Sequence, residues 1–582
     1  VSKVPPALNW NSRVLTDGWQ RGPRAFYWGL GFQEADFPRP QVGIATPLLE
    51  GNLCNVRTAQ FAQWIAEGCR EAGLVGLPFG VSAVSDNICQ GVGEGGASLV
   101  SRNLIANGAE MVCSAHYYDA LVGLHHCDKN GPGMSMALVR LNYPGLIVNG
   151  GTILPGSYHG KPTTILDVYD AQARHEAGSC SHEEMEAIIK TACPGPGGCG
   201  IAASFNTWGI VLEALGLSLP NSSSTPAVDS LKQQECLGAG RAVRRLLELD
   251  LRPRQIVTAE GLRNAMRALA AIGGSTNGVL HLLALAREAC VAFDLRDVQA
   301  ICRTTPVMCN FAPRGSATMV DLHRAGGTAM LLKHLIECDL LDGSLPTVSG
   351  LSLAESVADA PPIPDVHSLI APRDAPFREH ADLQICFGNV APDGIVFKVS
   401  AWKSTRFTGP AICFDDPREV VKAAVAQRIR PGHVVVLRYL GPVAAGMPEV
   451  HIASAALSLP PLKGEVALIS DTRVSGVSSG ALGVHCAPEA AVGGPLALLQ
   501  DGDEIQIDLL AGTIEAAVDL EPRAVKYDRA IVATRLQRHR RYLAEFAALT
   551  TQADQGCVSR CVVEQRLPSD SPRQSLTSDA GR

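Results

Sequence analysis

Aromatic residues are scarce in this chain of 582, at 5%, charged residues reach only 18%, and no apolar run approaches the ~20 residues of a membrane span. The stretch from Gly278 to Ala286 is broken by charge well before that length. Little charge together with 46% apolar residues excludes disorder for most of the chain. The net charge is −7, so there is no basic excess to draw in phosphate backbones or anionic lipid, and nucleic acid and membrane are unfavoured as partners. No Cys-x-x-Cys pair is present, which removes zinc-ribbon and ferredoxin spacings. The 18 cysteines are too dilute for a secreted disulfide scaffold and suit a reducing compartment. There is no apolar signal core, and Val1 in place of an initiator methionine suggests processing or a trimmed chain. No internal repeat is found.

What is present is an alternation of strand and helix patterns. At ~150 residues per domain the length allows two large domains or several small ones. A strand over Val42–Thr46 precedes a helical stretch, Arg57–Gly73, with Phe61, Ala62, Ile65, Ala66, Cys69 and Ala72 at helical spacing. The pattern repeats as strand Val81–Ser85, helix Ser98–Ala115, strand Ala120–His125, helix Gly133–Asn142 and strand Gly145–Asn149. Such alternation predicts an α/β fold with a mainly parallel sheet flanked by helices and functional loops at the C-terminal ends of its strands. Further helices are expected over Glu183–Ala192, Asn206–Leu215 and Thr258–Ala271. Residues 356–377 are rich in proline and read as a linker between an N-terminal domain, 1–355, and a C-terminal one, 378–554. Beyond it the strand patterns Ala411–Phe414, His433–Tyr439, Glu465–Ser470 and Glu504–Leu509 predict a β-barrel-like domain. A solvated basic helix over Arg535–Ala547 and a flexible tail over 555–582 complete the chain.

Cys127-Asp128-Lys129 places a soft ligand, a hard oxygen ligand and an amine in consecutive loop positions, although a buried thiol beside a surface ion pair would read the same way. The glycine-dense run Cys193-Pro194-Gly195-Pro196-Gly197-Gly198-Cys199-Gly200 suggests backbone wrapped closely around a cluster or anion. Cys54, Cys127 and Cys199 lie in separate loops that can converge. Three thiolates on an iron–sulfur cluster would leave one iron open as a Lewis acid for a departing hydroxyl.

The runs Glu50-Gly51-Asn52-Leu53-Cys54-Asn55, Cys127-Asp128-Lys129-Asn130-Gly131-Pro132-Gly133, Ala192 to Gly200, Gly273-Gly274-Ser275-Thr276-Asn277 and Cys486-Ala487-Pro488-Glu489-Ala490 resemble those of dihydroxy-acid dehydratases. These belong to a larger family that also contains phosphogluconate and sugar-acid dehydratases. The likeness spans roughly residues 8–560 and is nearest the plant and fungal type, including the ending Gln555-Gly556-Cys557-Val558. It implies a [2Fe–2S] cluster on Cys54, Cys127 and Cys199, with Cys193 a competitor for Cys199. It also implies Mg²⁺ on Asp86, Asp128, carbamylated Lys129 and Glu449, with Ser475 as the proton-abstracting base. Mg²⁺ prefers oxygen ligands, and a carbamate, unlike an ammonium, is one. The implied reaction removes water from 2,3-dihydroxy-3-methylbutanoate and 2,3-dihydroxy-3-methylpentanoate on the way to valine, leucine and isoleucine. The resemblance further implies a homodimer, in the mitochondrial matrix if the source is eukaryotic and in the cytoplasm otherwise. A sugar-acid dehydratase, or a catalytically silent regulatory copy, is the alternative. The loop Gly273 to Asn277 fits either a contact with substrate or a plain turn of the chain.

Two segments depart from the family pattern. Gly441-Pro442-Val443-Ala444-Ala445-Gly446-Met447-Pro448-Glu449 lacks one residue, a lysine and at least two glycines of the usual run, and Asp471-Thr472-Arg473-Val474-Ser475-Gly476-Val477 replaces two glycines and an aromatic. Non-glycine residues at positions built for positive φ would cost about 1–3 kcal/mol, so these loops are expected to follow another path or narrow the channel. A specialised copy with the same reaction and tolerance of a bulkier inhibitor is the resulting expectation.

Overall fold

The computed structural model describes residues 8–89, 95–176, 178–364, 368–400, 402, 404–474, 481–524 and 540–561. Strands β1 (Gln41–Pro47), β2 (Val75–Val81), β3 (Ala120–His125) and β4 (Gly145–Asn149) form a parallel sheet in the order β2-β1-β3-β4. Helices Thr58–Glu71, Ala97–Ala115 and Asn130–Leu141 make the crossovers. Strands β1, β3 and β4 are buried along their whole length. Hence they read as continuous apolar runs, as expected of a parallel sheet covered on both faces. Because all four strands run the same way, the loops bearing Cys54, Asp86, Cys127 to Lys129 and Gly150-Gly151 emerge at one edge.

The strand expected over Val81–Ser85 lies earlier, at Val75–Val81. Gly76, Pro78 and Gly80 read as turn residues in the sequence, yet β2 pairs only with β1. At a sheet edge the missing N–H of a proline leaves no ladder bond broken. Residues after Val81 are thereby free to form the loop that delivers Asp86.

The helices covering the sheet approach one another at glycines. A Cβ on Gly68, in helix Thr58–Glu71, would collide with the Leu237 carbonyl oxygen, and one on Gly240, in helix Leu231–Leu249, with that of Gly68. The two backbones therefore meet without side chains between them.

The C-terminal half closes into an eight-stranded barrel. Its strands are β5 (Leu383–Gly388), β6 (Ala391–Lys398), β7 (Arg406–Phe414), β8 (Val434–Leu437), β9 (Ala467–Ser470), β10 (Ala481–Ala487), β11 (Glu504–Asp508) and β12 (Thr513–Ala516), in the order β8-β9-β10-β6-β5-β12-β11-β7. Along β8 the burial alternates in destination: Val434 and Val436 join one core with Ile469, Ile505 and Ile514, whereas Val435 and Leu437 join another with Leu468 and Val484. The second core also takes up Val420, Ala453 and Leu457 from helices Pro417–Val425 and His451–Leu457. Closure leaves no open sheet edge. The proline-rich stretch is tied to the N-terminal half, with Ala371 N donating to Met308 O and Phe377 N to Val307 O.

The expected flexible tail does not begin at 555. Gly556, Cys557 and Val558 are buried, and only 562–582 fall outside the described residues. A short apolar pair inside a polar stretch was hidden by the average composition, and its burial depends on Arg102, whose Nη2 donates to the Gly556 and Cys557 carbonyls at 2.7 Å. Of the expected basic helix, residues 535–539 lie outside the described set, and the helix observed is Arg541–Leu549.

Gly240→Ala should lower stability by about 1–3 kcal/mol, because the added methyl meets backbone that cannot rotate away. Thermal unfolding of the variant beside the parent checks this, and an unchanged midpoint would mean that the helices separate at little cost.

Candidate active site

The thiols come together through asparagines. Asn55 Nδ2 donates to Pro47 O at 2.8 Å and to Asn130 Oδ1 at 3.1 Å, and the same Asn130 oxygen accepts from Cys127 N at 2.9 Å. Asn52 Nδ2 donates to Asn55 Oδ1 at 2.6 Å, while Cys54 N donates to Asn52 Oδ1 at 3.4 Å. These bonds hold the loop after β1 against the loop after β3, and the Cys54 and Cys127 thiols hydrogen-bond to each other. The glycine-rich run is laced to the residues after β4, with Gly198 N donating to Gly151 O at 3.0 Å and Ile153 N to Gly198 O at 2.7 Å. Cys199 is thereby brought beside the other two, where Asn87 Nδ2 donates to its sulfur at 3.5 Å. The bond with Cys127, followed by burial, pushes the Cys54 thiol well up, and the same bond draws Cys127 down. Burial, then Asp128, pushes Cys199 up. Cys193 is exposed on the wall of the same cavity.

Beside the thiols lies a buried set of charges. Carboxylate oxygens of Asp86, Asp128 and Glu449 all lie within 4.8 Å of one another. Asp86 begins a short helix after β2, Asp128 follows β3, and Glu449 comes from the barrel half, where it bridges to Arg473 beyond β9. Lys129 Nζ donates to Asp86 Oδ2 at 2.6 Å. Arg473 Nη1 donates to Glu449 Oε1 at 3.0 Å and stands 3.9 Å from Asp86 Oδ2. Asn277 Nδ2 donates to the same Glu449 oxygen at 2.6 Å and to Ser204 Oγ at 2.8 Å. Burial raises the Asp86 pKa, but Lys129 and Arg473 more than reverse this and hold it below the ordinary value. Burial, then the charge of Asp86, pushes the Asp128 carboxyl well above the ordinary value.

All four residues expected as metal ligands, and all three expected cluster thiols, are in this one region. Ser475 lies outside the described residues. The segment leading to it, Asp471 to Val474, is buried, and Arg473 within it is a member of the charge set that sequence reasoning left without a role. Its position two residues before the serine was the available signal. Asn277, from the loop that fits two roles in the sequence, orients Glu449. The cavity against the thiols is ≈ 180 Å³ and is walled largely by Leu53, Ile88, Ile153, Leu154, Pro155 and Ile165.

The altered run Gly441 to Gly446 forms one helical turn, Pro442–Ala445, closed by Gly446 in the left-handed region at φ 70°. Val443 N and Ala444 N donate to the carboxylate of Glu489 at 2.8 and 3.0 Å.

A parallel α/β half that offers thiols and carboxylates from one sheet edge, closed by a glutamate from a barrel half, defines a two-part protein with a buried, thiol-lined acidic centre. The chain belongs to the dihydroxy-acid/6-phosphogluconate dehydratase family, whose N-terminal model matches residues 39–356 and whose C-terminal model matches residues 368–557. It is 40% identical over 555 residues to a dihydroxy-acid dehydratase of Francisella tularensis subsp. novicida (strain U112), covering 95% of this chain and 99% of that one. A dihydroxy-acid dehydratase of Sulfurisphaera tokodaii is 42% identical over 519 residues, covering 88% and 92%. A chloroplastic dihydroxy-acid dehydratase of Arabidopsis thaliana is 38% identical over 555 residues, covering 94% and 91%.

Arg473→Met should destabilise the metal-free protein by about 3–5 kcal/mol, since Asp86 and Glu449 would then face each other with one fewer buried cation. Thermal unfolding with and without Mg²⁺ checks this: the midpoint should fall, and Mg²⁺ should raise it more in the variant than in the parent.

Proposed function

We propose that this chain is a hydro-lyase, a dihydroxy-acid dehydratase that converts 2,3-dihydroxy-3-methylbutanoate and 2,3-dihydroxy-3-methylpentanoate to their 2-keto acids in branched-chain amino acid biosynthesis. The observation that carries this reading is the buried carboxylate trio set directly against three thiols. The names of the relatives support it.

The residues fit the cofactors that the family resemblance implies. Three buried carboxylates whose oxygens lie within 4.8 Å of one another repel each other, and a divalent cation held among them would relieve that repulsion. Lys129, one of the proposed ligands, stands as an ammonium against Asp86. Carbamylation turns that cation into an anion, a change of two charges opposite in sign to those a divalent ion brings. Cys54, Cys127 and Cys199 supply three soft ligands, the number that leaves one iron of a [2Fe–2S] cluster open. When bound, Mg²⁺ would supply positive charge for the substrate carboxylate and C2 oxygen, and the cluster a Lewis acid for the C3 oxygen.

The chain's own part is to hold and to move protons. Asp86, Asp128, Glu449 and carbamylated Lys129 would hold the Mg²⁺, with Asn277 and Arg473 fixing the Glu449 carboxylate. Ser475, as alkoxide, would take the C2 proton while the C3 hydroxyl departs; that hydroxide gains the proton carried by the serine and leaves as water, and the enol that remains tautomerises to the keto acid. Leu53, Ile153 and Ile165 line the cavity. The wall is mainly apolar, which suits branched alkyl substituents better than the added hydroxyls of a sugar acid.

The division into domains at 1–355 and 378–554, and a homodimer, belong to this same reading. No helix among the described residues is long and apolar enough to cross a membrane. For compartment, one relative is named chloroplastic and none of those described speaks for a mitochondrion, so the matrix reading stands on the family resemblance alone.

The test is anaerobic turnover of 2,3-dihydroxy-3-methylbutanoate by cluster-reconstituted protein with Mg²⁺, beside Ser475→Ala with equal iron. The parent should form the 2-keto acid and the variant should lose at least a hundredfold in kcat. An inert, iron-loaded parent that instead dehydrates a sugar acid would replace this reading with the second one.

A further inference from the structure

The last described segment of the chain passes through the boundary between the two halves, where it touches the loop that carries Glu449. Leu99 and Val100 of the sheet half, Leu280 of helix Thr276–Glu288, Met447 of the Glu449 loop, and Phe546, Ala553 and Cys557 of the C-terminal segment form one apolar cluster. Met447 is fully buried, holds φ at 52° and lies two residues before Glu449. Its sulfur accepts from the Cys557 thiol at 3.3 Å. Its carbonyl accepts from Arg473 Nε at 2.8 Å.

Polar bonds pin the segment at both ends. On the sheet side Arg102, fully buried, grips the Gly556 and Cys557 carbonyls, and Asn103 Nδ2 adds a bond to Cys557 O at 3.3 Å. Gly556 sits at φ 79°, and a Cβ there would collide with the Ala284 backbone nitrogen, so only glycine allows this seating. On the barrel side Gln552 and Glu489 exchange two bonds: Glu489 N donates to Gln552 Oε1 at 2.8 Å, and Gln552 Nε2 donates to Glu489 Oε1 at 3.0 Å. The Glu489 carboxylate in turn accepts from Val443 N and Ala444 N, in the turn that leads to Met447.

We infer that the C-terminal segment, Phe546 to Val558, is a positioning strap for Glu449, and that Gln552 acts through Glu489 to set the loop that delivers this metal ligand. The thiols are untouched by the strap, because Cys54, Cys127 and Cys199 are held by bonds internal to the sheet half. Divalent-metal affinity and cluster retention are therefore separable: weakening the strap loosens the first and leaves the second. The inference rests on the reading of Asp86, Asp128 and Glu449 as a metal site.

The experiment compares the full chain with Gln552→Leu, which keeps the bulk and removes both bonds. Mn²⁺ serves as the probe, its affinity read by electron paramagnetic resonance, and cluster content by visible absorbance. The expected result is at least a tenfold weaker Mn²⁺ affinity at unchanged cluster absorbance, with the Mg²⁺ concentration for half-maximal turnover raised to the same degree and kcat at saturating Mg²⁺ within twofold of the parent. Mn²⁺ affinity within twofold of the parent overturns the inference, as does loss of metal and cluster together. If the parent itself binds no Mn²⁺, the metal-site reading fails, and hydrogen exchange decides the strap separately. Faster exchange in Gln552→Leu at residues 443–447, with β8 and β9 unchanged, supports it; equal exchange at 443–447 overturns it.

Discussion

Asp86, Lys129, Glu449 and Arg473 are all buried where the sheet edge meets the barrel, and none of these charges could be buried alone. Lys129 answers Asp86 from the loop after β3, while Arg473 reaches from the barrel half to Glu449 and toward Asp86. Joining the two halves is thus an electrostatic requirement as much as an apolar one. The site exists only when both are folded and docked, which is also why no single segment of the chain contains it.

The environment that makes these charges costly also makes them useful. Burial pushes Asp128 and the Cys199 thiol toward their protonated forms, and the bond with Cys127 together with burial does the same for Cys54. A bound cation would reverse these shifts, because it favours the charged forms of its ligands. Asn277 and Arg473 do not compete for this role, since each donates to Glu449 and so fixes its direction without taking its place. The asparagines Asn52, Asn55 and Asn130 act likewise for the thiol loops, with bonds that tie one loop to the other.

The altered run before Glu449 is accommodated by the barrel rather than by the sheet. A single helical turn spans Pro442 to Ala445, and Glu489 receives its first free amides. Asp471 does the same for the chain after β8, accepting from Tyr439 N, Leu440 N and Ala490 N. Two buried carboxylates thus organise the loops at one end of the barrel, and burial raises Asp471 to about 6 and Glu489 to about 7.

Local pattern was enough to read the alternating strands and helices of the N-terminal half, because fully buried parallel strands and amphipathic helices leave strong periodic signals. Of the four sheet strands β2 escaped, since an edge strand tolerates the proline and glycines that local rules exclude, and the helices Leu231–Leu249, Thr276–Glu288, Leu295–Thr304 and Gly327–Glu337 were not read either. The motifs named the three thiols and the carboxylates, whose chemistry is a property of residue type. What the sequence could not decide was proximity. That Arg473 stands between Asp86 and Glu449, that Asn277 turns inward rather than merely ending a loop, and that Cys557 and Val558 enter the interior are facts of how distant segments pack. Such contacts join residues hundreds of positions apart, and their energies come from shared burial, which no window of sequence contains.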